Sequence, residues 1–237
     1  MAQSGIELRY LALWVLIFLW SPHTLASPWE TVYDEDNITV STRPVEGSSI
    51  RAFHAETSVA ASVDSILALM ADPAACPLWI HGCLEAKILD TEGFYQRNTY
   101  QINDMPWPVA DRDLVLEIKI SEHANGSFQL AMVNRPEAIP PTDNVRILKS
   151  EGAYLFTPTK DGRTLIRWEQ HTDPGGHLPA WLVNQLIIDV PVKTLQNLRR
   201  LVESPDAGYA HKHLVRQPGG LIVGWETPLE QHAQVAR

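Results

Sequence analysis

A chain of 237 residues with 45% hydrophobic content has enough apolar material for one sizeable core. Its 28 acidic residues outnumber 19 Lys and Arg, for a formal charge of −9 at pH 7, and no basic run is present. Nucleic acid is thereby a poor partner, because phosphate binding draws on clustered Lys and Arg.

The first 26 residues have the layout of a secretory signal peptide. Arg9 precedes an apolar run at 11–20, and Thr24 and Ala26 are small residues three and one positions before a cut. Ten residues rise only about 15 Å as a helix, half of a hydrocarbon core of roughly 30 Å, which disfavours a lasting transmembrane anchor. No cysteine follows the run, which argues against a lipid-anchored terminus. An exported chain, periplasmic or secreted, is expected to start near Ser27.

Residues 29–45 read as strand, turn and strand, with Asp34, Glu35, Asp36 and Asn37 as the turn, and 50–59 as a third strand. Ser62 is placed to cap a short helix through Ile66, Leu67, Leu69 and Met70, stopped by Asp72 and Pro73. A proline-broken connection holding Trp79 follows, between Cys76 and Cys83, the only two cysteines. In an oxidising compartment their simplest state is a disulfide closing a small loop, whereas a metal site through His81 matches no standard zinc spacing. Strands are predicted at 84–91, 94–102, 114–121, 128–134, 145–157 and 164–172. Gly93, Pro106 with Pro108, Asn125-Gly126 and Asp161-Gly162 supply the punctuation.

Gly175, Gly176 and Pro179 end this series and open a long helix. At about 100° per residue Leu182, Val183, Leu186, Ile187 and Val190 form one apolar stripe. Beyond Pro191 the stripe moves round to Leu195, Leu198, Leu201 and Val202, which predicts a kink at that proline. Trp181 and Ile188 lie off the first stripe, so the amino-terminal half is apolar nearly all round. Such a half either packs beneath a loop on its second side or touches a lipophilic ligand or a membrane. Residues 204–237, broken by Pro205, Gly208, Gly219, Gly220 and Pro228, read as an extended tail with one anchor at 221–225. The plan is an α+β domain. A curved antiparallel sheet of about nine strands needs its inner face covered, and the terminal helix is the only element long enough to cover it, with room for a cavity between them.

Three segments carry a family resemblance over 29–203. They are Trp29-Glu30 through Ile38-Thr39-Val40 to Arg43-Pro44-Val45; then Met105-Pro106-Trp107-Pro108-Val109-Ala110-Asp111-Arg112-Asp113-Leu114-Val115; then Asp173-Pro174-Gly175-Gly176 with Leu178-Pro179 and Trp181-Leu182-Val183-Asn184. In this order they resemble the START (StAR-related lipid-transfer) domain. The resemblance implies a helix-grip fold over 27–203, in which a curved antiparallel sheet wraps the terminal helix and leaves a tunnel for one lipid. It also implies that the Pro-Trp-Pro loop and the start of the terminal helix frame the tunnel mouth. The leading signal peptide, the lack of a helix before the first strand, and the tail depart from the family pattern.

Arg112 opens an apolar strand, and in similar START domains this arginine belongs to the cavity region. Pointing inward, it either meets a ligand headgroup or pairs with Asp111, Asp113 or another acid. Trp107, between two prolines, is either an exposed indole suited to a membrane interface or packed on its own loop. Trp79, Tyr100, Trp168 and Trp181 are candidate cavity walls or core members, with Leu182 and Leu186 on the helix stripe beside them. Gly-x-Ser-x-Gly, His-Glu-x-x-His, a phosphate loop and a dinucleotide fingerprint are all missing from the sequence, and the His171/His177 and His211/His213 pairs have no third ligand at usual spacing. The expected function is a non-enzymatic, cofactor-free, metal-free monomeric carrier of one sterol-like or phospholipid molecule, with transient membrane contact. One alternative is a cyclase- or hydrolase-like helix-grip enzyme using His54, Glu117 or Glu169 as acid or base. Another is a lipid sensor or chaperone that acts on a protein through the tail.

Overall fold

The structure, a computed structural model, describes residues 28–226 except 177 and 179, and no side chain at 180, 181 or 226. The expected signal peptide, the helix start at Pro179 and Trp181 as a wall residue therefore lie outside the described residues. No described helix is long and apolar enough to cross a membrane.

Alternation of buried and part-exposed residues builds the opening strands. In β2 (Ile38–Arg43) the buried positions are Ile38, Val40 and Thr42, and the strand pairs with β1 (Glu30–Glu35) and β3 (Ala52–Val59) on either side. Asp36 and Asn37, at φ 54° and 58°, make the two-residue turn, a geometry that short polar side chains tolerate. As expected, α1 (Val63–Ala71) is capped by Ser62, whose side chain accepts from Ser65 N at 3.1 Å, and stops at Asp72. The connection between the cysteines contains a single helical turn, α2 (Cys76–Trp79), and the disulfide Cys76–Cys83 closes over it.

An antiparallel meander follows through β4 (Cys83–Thr91), β5 (Gln96–Asn103), β6 (Arg112–Glu122) and β7 (Phe128–Asn134). The single strand expected at 145–157 is two. β8 (Val145–Arg146) pairs parallel with the start of β6, whereas β9 (Lys149–Pro158) pairs with β7 and with β10 (Thr164–Asp173). The break falls where Ile147 is buried and Leu148 is exposed. Its cause lies outside the strand: Arg146 turns back to Asp113 and to carbonyls of the 136–140 loop. Nine strands run in the order β1-β2-β3-β10-β9-β7-β6-β5-β4, with β8 at the side of β6.

Across the sheet lies α3 (Ala180–Glu203), helical without interruption through Pro191. Its second half is the core element: Val192, Leu195, Leu198 and Val202 are buried, and the helix packs on β2, β3, α1 and α2. Burying each leucine contributes roughly 1.5–3 kcal/mol. Beyond it the expectation of an extended tail is corrected by a hairpin, β11 (His213–Arg216) with β12 (Ile222–Glu226). Ile222, 2% exposed, is its anchor in the core, and Asp64 of α1 accepts from Leu214 N at 2.9 Å.

Candidate functional site

Strand alternation decides which side chains can meet a ligand. On β5 the inward positions are Arg97, Thr99, Gln101 and Asn103; facing them on β6 are Ile118, Leu116, Leu114 and Arg112 in register. Together with Met132 of β7, Tyr154 of β9 and Trp168 of β10 they form a concave wall. The amino-terminal half of α3 closes it with Leu182, Leu186 and Val190, and α1 closes the far end with Met70 and Ala71. Between them is a hollow of about 500 Å³, mainly apolar in its lining, inside the range of about 300–1,000 Å³ typical of a site for one small molecule.

Four of the expected wall residues border this hollow: Trp79, Trp168, Leu182 and Leu186. Trp168 meets the Phe53 ring edge-on at 4.8 Å and stacks on Tyr154 at 4.7 Å, and its indole N–H donates to Gln170 Oε1. Tyr100 does not belong here. Its neighbours Thr99 and Gln101 point inward, so the two-residue period sends Tyr100 through the opposite face, where its hydroxyl donates to Asp113 at 3.1 Å. Trp107 is not a wall residue either. Pro106 borders the hollow and the next side chain is 93% exposed, which settles the loop-packed alternative against burial.

Arg112 borders the hollow, and no acid among the described residues pairs with it. The guanidinium donates to three backbone carbonyls, Ala110, Pro174 at 3.3 Å and Gly175 at 3.2 Å. It thus ties the β5–β6 loop to the loop entering α3, at the end of the hollow where Pro106, Pro174 and Leu182 meet. Gly175 and Gly176, both at φ 68°, give that second loop the left-handed turn needed to present its carbonyls. Asp113, the acid offered as a partner, faces the other way. It is fully buried behind the sheet and pairs with Arg146 at 2.7 Å, with Thr142 and Tyr100 donating to it as well.

Two polar groups of the wall carried no sequence signal. Tyr154 is buried between the rings of Phe156 and Trp168, its hydroxyl pKa pushed well above the ordinary value by burial, and it has no hydrogen-bond partner among the described residues. Arg97 is 6% exposed, and its one side-chain hydrogen bond among the described residues is a 3.4 Å contact with the carbonyl of Met70. Burial lowers its pKa to about 10. The β5 stretch Gln-Arg-Asn-Thr-Tyr-Gln-Ile-Asn is polar on both faces, so nothing in it told inward from outward. Elsewhere on the wall His81, lowered by burial and by Lys193, sits beside the Asp189–Lys193 pair.

The three strand residues suited to acid or base chemistry all lie off this wall. His54 is packed against Trp29 and near Glu56, Glu117 is held by Lys119 and Arg135, and Glu169 pairs with Arg43.

Comparison with known proteins agrees with this geometry. The START domain model matches residues 24–207. The Pseudomonas aeruginosa protein PA1579, itself uncharacterized, is 34% identical over 197 residues, 83% of this chain and 97% of its own. A STAR-related lipid transfer protein fragment from Xanthomonas axonopodis is 29% identical over 74% of this chain and 99% of that one, with a TM-score of 0.69. Human StAR-related lipid transfer protein 5, at 16% identity, shares the fold over 74% of this chain and 86% of its own, with a TM-score of 0.66. The match runs in sequence from the first strand to beyond the terminal helix, through the same sheet and the same covering helix, and on it the chain belongs to the START domain family.

Proposed function

We propose that this protein is a non-enzymatic lipid carrier that shelters one hydrophobic molecule in the hollow between α3 and the sheet, and moves it between membranes as a monomer. The observation that carries this reading is the hollow itself: about 500 Å³, lined mainly by apolar groups, under the half of α3 that carries Leu182, Leu186 and Val190. Burial of a ligand there supplies about 25 cal/mol per Å² of apolar surface. Trp107, exposed beside Pro106 at one end of the hollow, is an indole placed to enter a membrane interface during loading. Export to a periplasm or secretory lumen is part of the same reading. It is supported by Arg9 and the apolar run at 11–20, and by a disulfide of the kind that persists in oxidising compartments.

The test is to purify the protein from the exported fraction of cells expressing the full chain, extract it with organic solvent and weigh the extract by mass spectrometry. One lipid per protein molecule is expected. Protein that carries none, and takes none up from vesicles, overturns the carrier reading.

A further inference from the structure

A buried guanidinium is stable only when its donors are engaged. Of the three arginines that border the hollow, Arg97 and Arg112 are buried and Arg51 is not, and the two buried ones meet this requirement differently. Arg112 spends its fork on three carbonyls, whereas Arg97 makes one long contact with Met70 O and no ion pair among the described residues. Three acids border the hollow, and none pairs with Arg97: Asp72 is engaged by Ala74 N and the Tyr209 hydroxyl, Asp189 by Gln185 and Lys193, and Asp104 follows Asn103 at the other end of β5, near His81. Arg97 itself is a wall residue, so its remaining donors face the space a ligand would fill. Along β5 it lies about 20 Å from Asn103, at about 3.3 Å per residue, and thus at the end that α1 closes.

Resting on the carrier reading, we infer that Arg97 is the recognition site for the carboxylate of an amphipathic ligand that enters head first, so that the cargo is a lipophilic carboxylic acid. A carboxylate matches the planar fork with two parallel hydrogen bonds. Charge decides against a doubly charged phosphate. Arg97 contributes one positive charge, and its protein neighbour is the carbonyl end of α1, which carries partial negative charge and has no basic residue in its last turn. A single negative charge balances that end of the hollow; a second would be uncompensated. The apolar body of the ligand then runs along Leu114, Leu116 and Ile118 towards Leu182 and Leu186.

The experiment titrates delipidated protein at pH 7 with hexadecanoic acid, hexadecanol and hexadecyl phosphate, and with 5β-cholanic acid and its alcohol, in wild type and Arg97→Leu. For at least one of the two skeletons the acid is expected to bind more than about tenfold tighter than its alcohol. That ratio should fall to within about twofold in Arg97→Leu, with Arg97→Lys between. The melting temperature of ligand-free Arg97→Leu should equal or exceed that of wild type, because an unpaired buried charge is removed. An acid-to-alcohol ratio near one in wild type overturns the inference whatever the variant does. A lower melting temperature with an unchanged ratio makes Arg97 a cap on α1 and overturns it too. Tighter binding of hexadecyl phosphate than of the acid overturns the carboxylate assignment. A neutral lipid extracted at one per protein, or uptake from vesicles by protein that binds none of the five probes, sinks this inference while leaving the carrier reading intact; empty protein that binds none of the probes and takes nothing up from vesicles sinks both.

Discussion

Asp113 shows how a single side chain can fix a loop. Buried behind the sheet, it would be destabilising as a charge if its lone pairs were idle, but Arg146, Thr142 and Tyr100 all donate to it. Arg146 in turn reaches the carbonyls of Pro136, Ile139 and Pro140, so the long connection between β7 and β8 is held to the sheet through this one carboxylate. Burial alone would raise the Asp113 pKa, yet the hydrogen bonds from Arg146, Thr142 and Tyr100 outweigh it and hold the group below the usual carboxylate value. A depressed folded pKa means that the contribution is fully present above the unfolded value of about 3.9 and is lost as pH falls through the lower folded value. Removing one partner of a buried pair costs about 3–5 kcal/mol. Asp113→Ala is therefore expected to lower the melting temperature at pH 7 by about 10 °C, and to flatten its fall between pH 4 and pH 2 relative to wild type. Equal melting curves at both pH extremes would show that the loop is held by other contacts. At this scale the sequence was least legible. Tyr100, Arg112 and Asp113 were all singled out, but whether each faces the hollow depends on strand parity, and a shift of one residue exchanges the two faces.

In α3 one helix performs two tasks, and the division falls near Pro191. Leu195 and Leu198 beyond it are fully buried in the core, while Leu186 before it borders the hollow. Filling and emptying should then have different consequences. Leu186→Trp is expected to reduce co-purifying lipid by more than half while shifting the melting temperature by less than about 4 °C, since the added volume enters empty space. Leu195→Ala should cost about 2–5 kcal/mol, because it removes a fully buried side chain and leaves a cavity in the core. Loss of stability in both variants, with lipid retained in both, would contradict the division. Elements governed by local pattern were legible in the sequence: α1 with its Ser62 cap, the two apolar stripes of α3, and the strands whose apolar residues alternate. Elements governed by distant partners were not. β8 exists because Arg146 and Asp113 meet across the sheet, and no period within 145–157 announces a break there.

For the molecule as a whole, the informative departure is the carboxy-terminal hairpin. The family match ends at residue 207, and 213–226 lies beyond it. Its composition, rich in breakers, favoured an extended tail; the hairpin forms because α1 and the sheet offer it partners. Leu214 N donates to Asp64, the Ser65 hydroxyl to Ala210 O, Tyr209 to Asp72, and Arg216 pairs with Glu122 at the end of β6. Burial first, and the Asp72 hydrogen bond second, push the Tyr209 hydroxyl up to about 12, so this tie stays protonated through the neutral range. All but one of these contacts fall on α1 or on Asp72 at its end, and α1 closes the Arg97 end of the hollow. The hairpin therefore lies as a strap over the element that closes this end of the hollow. Deleting residues 208–237 removes Ile222 from the core, worth about 1.5–3 kcal/mol, together with four hydrogen-bonded ties at about 1 kcal/mol each. A truncated protein is expected to keep the sheet and α3, to melt about 10 °C lower, and to exchange amide hydrogens of α1 faster than those of β6 or β9. Bound lipid should leave it faster than it leaves the full chain, as read by transfer to acceptor vesicles. If α1 exchange and lipid release both match the full chain, the hairpin stabilises the fold without guarding the hollow.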